Sequence, residues 1–244
     1  MNPPEEYQIQ FDQVYDGAYR YLDRCGEFMI RAREAFGFTP VSVNPNGCNM
    51  EAPEIALQLR GSAEMLVLVC TQPQYASSLI KAANLCTEFV TDLFEPLSIV
   101  HNQITSRSIW RTDTLEESYK LSLSIAEETQ VDRFSEILQM TPVSQDFLYS
   151  FQSGTHKAHV RLQPISINIT VAERKLPPPG ASKSYQEFLL KRERSLQESP
   201  PRPGYGLGLE ISVIESEPPV EGAIQKLYTA LLDHKKQILN NLKA

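Results

Sequence analysis

Four histidines and four cysteines are the side chains in this sequence best suited to holding a metal or attacking a carbonyl. Of His101, His156, His159 and His234, only His156 and His159 stand close together. On a strand, residues three apart point to opposite faces. Neither a cysteine nor a carboxylate at ligand spacing joins them, whereas a structural metal site takes about four ligands. Cys25, Cys48, Cys70 and Cys86 form no CxxC pair. Three of them fall on apolar faces or in an apolar strand, where a free thiol serves as a small core residue in a reducing compartment. Cys48 sits in the polar stretch Pro45-Asn-Gly-Cys-Asn49 and reads as the one reachable thiol. A nucleophile needs a base and an orienting group, and no spacing supplies them. Asp113, Glu116 and Glu117 cluster beside Trp110 and Arg111, as in a hydrated acidic turn.

The phosphate-binding glycine loops, the GxSxG elbow and the HExxH motif are absent, and Gly204-Tyr-Gly-Leu-Gly208 leads into a strand. The expectation is therefore no catalytic set, no metal and no cofactor. If polar loops converge between a helix and a curved sheet, Cys48, Asn49, His101 and Trp110 are the candidates to line a small-ligand or hydrolytic pocket.

The elements that would carry these residues are organised around residues 55–94. Ile55, Leu57 and Leu59 alternate with polar neighbours, as in a strand with one face buried. After the turn Arg60-Gly-Ser-Ala-Glu64, the run Met65-Leu-Val-Leu-Val-Cys70 is apolar throughout, a strand buried on both faces. From Ser77 the period becomes helical through Leu79, Cys86, Val90 and Leu93, and Pro96 stops it. A second strand-strand-helix unit follows near the C-terminus: Ile165 to Val171, Leu207 to Val213, then a helix carrying Ile224, Leu227, Leu231, His234 and Ile238 on one side. Their 3-4-3-4 spacing is close to a coiled-coil seam and marks a partner-binding or self-association helix, unless it covers its own sheet.

Elsewhere, residues 1–9 read as a lead-in and Phe11 to Phe36 as one amphipathic helix through Val14, Ala18, Leu22, Cys25, Met29 and Ala32. Thr39 to Asn44 reads as a strand, with a turn at Asn44-Pro-Asn-Gly47. Leu97–Ile104 and Ser108–Arg111 read as two strands, and Tyr119–Ile125 as a third by its alternation. Thr129–Met140 reads as a helix, and Phe147–Phe151 fits helix or strand.

The fold class expected is α+β, a mainly antiparallel sheet built from two strand-strand-helix units and covered by long amphipathic helices. The halves divide as 1–145 and 146–244, with a Pro-bracketed insertion at 172–204. Across that insertion seven basic residues, Lys191, Arg192 and Arg194 among them, face four acidic ones. A solvated excursion is the plainer reading and a nucleic-acid contact the sharper one. The overall charge of −7 disfavours a protein that coats a phosphate backbone. With 41% hydrophobic and 22% charged residues, and no apolar run of about 20 residues, the sequence reads as a cytoplasmic globular protein without a membrane span. Its start, Met1-Asn-Pro-Pro-Glu-Glu6, is neither basic nor apolar, unlike a secretory signal.

The succession of alternating strand, apolar strand, Tyr75, helix and Leu97-Ser-Ile-Val-His-Asn-Gln-Ile104 resembles an uncharacterised, sporadically distributed bacterial family. Members of that family also close with a sheet and a long amphipathic helix. The resemblance implies no activity. Taken together, these readings lead to a non-enzymatic protein-binding or accessory subunit, oligomeric through self-association or a protein partner.

Overall fold

The computed structural model describes residues 3–125, 147–153, 156–167, 204–216 and 222–241. Nine antiparallel strands form one sheet: β1 (Glu5–Asp16), β2 (Thr39–Asn44), β3 (Gly47–Ala52), β4 (Leu57–Gly61), β5 (Met65–Cys70), β6 (Ser98–Thr112), β7 (Phe147–Ser153), β8 (His156–Ile167) and β9 (Gly204–Glu215). Their order is β2-β3-β4-β5-β1-β6-β9-β8-β7. Among the described residues four α-helices accompany it: α1 (Tyr21–Phe36), α2 (Ala76–Phe94), α3 (Leu115–Ile125) and α4 (Ala223–Asn241). The α+β class and the antiparallel sheet are as the sequence indicates. The sheet runs unbroken from β1 through β6 to β9, so residues on both sides of position 145 share it.

The first departure is at the N-terminus. Residues 5–16 are a strand, and the helix begins only at Tyr21. Ile9, Phe11 and Tyr15 point into the core, the period of a strand, but Phe11, Val14 and Ala18 also fall at helical spacing. Gly17, at φ +66°, turns the chain between the two elements, and its α-carbon faces the Leu97 side chain too closely for a β-carbon. The buried face of α1 is Tyr21, Cys25, Phe28 and Ala32, while Leu22, assigned to the stripe from sequence, is 71% exposed. Tyr21 and Phe28 each pack on Phe94 of α2 with ring centroids 5.2 Å apart.

The second departure is β6, a single strand where the sequence suggests two. Residues 105–107, between the two expected strands, lie inside the sheet, with Thr105 and Ser106 buried. The third is α3, read as a strand. Its core face carries serines, Ser118 and Ser122, both fully buried, so no apolar period of 3.6 marks it. Thr114 starts it, its Oγ1 accepting the Glu117 N–H at 3.1 Å, and the Glu117 carboxylate accepts the Asp113 N–H at 3.0 Å. This is close to a capping box. The helix read over 129–140 and the insertion lie outside the described residues.

The four described helices lie on one face of the sheet. Phe11, Leu59, Leu68, Ile104, Leu209, Ile211 and Val213 meet Leu79, Cys86 and Val90 of α2 and Leu227 and Leu231 of α4 there. Lys235 of α4 pairs with Glu6 of β1 and donates to Ser106 Oγ at 3.1 Å, tying the last helix to the sheet centre. Gly206 lets β9 approach β6: a β-carbon there would lie 2.6 Å from the Ile109 side chain and from the Trp110 carbonyl.

Candidate functional site

Cys48 lies in β3, not in a loop, and points into the core at 1% exposure. A hydrogen bond with the free Cys25 thiol, and then burial, hold its own thiol above the ordinary cysteine range. Asn49, the next residue, turns to the opposite face and donates to Ser42 Oγ at 2.8 Å. Trp110 is buried on the helix-covered face of β6, in register with Leu207. His101 lies on the other face of β6, opposite Val14. Between β3 and β6 stand β4, β5 and β1, a separation of roughly 19 Å at about 4.8 Å per strand. The four residues expected to line one pocket therefore divide between two faces and two parts of the sheet.

The seam of α4 is also placed. Ile224, Leu227 and Leu231 are buried against this chain's own β6 and β9, and Ile238 packs at the edge of the same core. His234 is half-buried beside them. That face of α4 is covered by its own sheet. Lys191, Arg192 and Arg194 lie outside the described residues.

On β8 the two close histidines point apart. His156 Nε2 is 3.3 Å from Glu215 Oε1, and His159 Nδ1 is 2.8 Å from Ser150 Oγ. Among the described residues no group of three histidine, cysteine or acidic side chains could hold a metal ion. Burial pushes the Cys86 thiol up to about 12.

Two features emerge that the sequence reading passed over. The first is a polar chain on the sheet face turned away from the helices. Gln8 donates to Gln10 at 3.2 Å, Gln10 to Asp12 at 2.7 Å, and Arg107 to both Gln10 at 2.8 Å and Glu210 at 2.6 Å. Burial raises the Asp12 carboxyl above the ordinary aspartate range, against the opposing pull of Gln10 and Arg107. Beside this chain lies a depression of about 640 Å³ lined by Gln10, Asp12, Asn49, Gln58 and Arg60, with Val67 and Val69 among its apolar contacts. Strand periodicity alone places these residues on one face; the register that joins them comes from pairings distant in sequence.

The second feature is the edge strand β7. Its seven residues, Phe-Leu-Tyr-Ser-Phe-Gln-Ser, include no charge, proline or glycine. Leu148, Tyr149 and Phe151 are 64%, 45% and 58% exposed. Its inner side pairs with β8 over its whole length, and among the described residues no strand pairs with its outer side. The opposite edge, β2, is interrupted: Pro40 has no N–H to offer, and the register shifts between Pro40 and Ser42. Proline and irregularity are the usual means of blunting an edge, and β7 has neither. The absence of charge in residues 147–153 was the available signal.

Comparison with protein-family models and with curated proteins finds no match for this chain. Among the described residues, no helix is long and apolar enough to cross a membrane.

Proposed function

We propose that this protein is a non-enzymatic accessory subunit that binds another polypeptide by accepting an added strand along β7. The observation that carries the reading is an uncharged seven-residue edge strand, with large apolar side chains exposed on it, facing no strand among the described residues. Strand addition draws affinity from main-chain hydrogen bonds and selectivity from alternate side chains, and such an edge provides both. The helices α2 and α4 support this reading: both turn their apolar faces to the shared core and leave the edge strand as the surface for a partner.

A fluorescein-labelled peptide of residues 147–153 tests this, because that uncharged sequence run antiparallel sets Tyr149 opposite Phe151 and brings no like charges together. Saturable binding to the full chain, lost in the double variant Leu148→Lys/Phe151→Lys, is expected. No binding to the intact protein overturns the proposal.

A second reading is favoured by the depression beside Asp12 and Arg60, which would suit a small polar ligand bearing amide and carboxylate groups. It requires that a panel of such compounds raise the melting temperature of the protein and not of Arg60→Met. A panel without effect removes it.

A further inference from the structure

We infer that the strand β7 receives is β7 of a second copy of this chain, laid antiparallel about a two-fold axis at Ser150. The inference rests on β7 being a strand-accepting edge and names its occupant.

Counted outward from the sheet centre, one side runs β1-β5-β4-β3-β2 and the other β6-β9-β8-β7. On each side the innermost strand leads into a helix, and the strand beside it leads into another: β1 to α1 and β5 to α2, β6 to α3 and β9 to α4. In this correspondence β7 stands where β3 stands. On its far side β3 carries β2, antiparallel. The position beyond β7 that corresponds to β2 is taken by no strand among the described residues.

Composition selects the occupant. Run antiparallel to itself over its full length, β7 sets Ser150 opposite its own copy, Leu148 opposite Gln152, and Tyr149 opposite Phe151. By the same symmetry each aromatic pair occurs twice. Tyr149 and Phe151 lie on one face and Leu148, Ser150 and Gln152 on the other, as the pairing with β8 shows. Aromatic cross-strand pairs are among the stabilising ones, and like charges directly opposite are destabilising. Two copies each carrying a net charge of −7 repel, and this edge brings them together without adding a charge of either sign. The contact is isologous, so it closes as a dimer and does not propagate. Seven residues of edge fall short of the roughly 1,200 to 2,000 Å² of a standard stable interface, so association should depend on concentration.

The test uses the full chain in sedimentation velocity over about 1 to 100 micromolar, a range suited to a small interface. Wild type should pass from monomer to dimer. Ser150→Lys and Ser150→Asp, each placing like charges face to face, should each weaken the dimer by more than about tenfold. An equimolar mixture of the two should restore it, which no contact elsewhere on the surface would do. Far-UV circular dichroism establishes that both variants fold, and Ser150→Asp has Lys157 on the adjacent strand to accommodate its charge. Dimers that persist in each variant alone, or a mixture no more associated than its parts, overturn the inference. A wild type that stays monomeric while the 147–153 peptide binds overturns the second copy and leaves strand acceptance standing. A monomer that binds no peptide overturns both.

Discussion

Asp12 and Cys48 show how far a residue's chemistry depends on the face it occupies. Asp12 is 9% exposed on the sheet face away from the helices, and burial holds its proton more tightly in the native state than in the unfolded chain. The native state therefore loses stability as pH rises from the ordinary aspartate value through the raised one, and the loss is complete above the latter. Asp12→Asn should raise the denaturant midpoint at about pH 7 and change it little near pH 3, where wild-type Asp12 is neutral in both states. An equal shift at both pH values would place the effect in packing instead. Cys48, one position from Asn49, is turned into the core, and the other three thiols are buried as well. A thiol reagent such as dithionitrobenzoate should thus label none of the four quickly in the native protein and all four in denaturant. Rapid native labelling of Cys48 would contradict its placement.

At the scale of elements, legibility followed the side of the chain that carries apolar residues. The strands β4 and β5 and the helices α2 and α4 were legible because their core faces are built mostly from apolar residues at a single period. For α3 the core face is Ser118 and Ser122, so the alternation of Tyr119, Leu121 and Leu123 imitated a strand, and only Thr114 with Glu117 recorded the helix start. For β1, Gln13 occupies a core-facing position, fully buried and donating to Asn102 at 3.0 Å, which interrupts the apolar alternation. The pocket expected of Cys48, Asn49, His101 and Trp110 failed for a related reason: strand order, which sets them apart, depends on pairings distant in sequence. The α4 seam gives the sharpest test at this scale. Leu231 is fully buried and its neighbour Leu232 is 43% exposed. Leu231→Ala should cost about 2 to 5 kcal/mol of unfolding free energy. Leu232→Ala should change it by no more than about 0.5 kcal/mol. Equal costs would mean that α4 packs on another face.

For the whole molecule, the described sheet has a centre held by helices and ion pairs and two edges of different character. The helices, the Lys235–Glu6 pair and the Arg107–Glu210 pair at 2.6 Å hold the middle strands. Among the described residues one edge is blunted by Pro40, and the other, β7, carries no proline, glycine or charge. The most direct measurement is amide hydrogen exchange at residues 147–153 as a function of protein concentration. If β7 pairs with a second copy, exchange there slows as concentration rises, while residues 39–44 of β2 exchange at constant rates. Rates at 147–153 that do not change with concentration would contradict self-pairing at that edge.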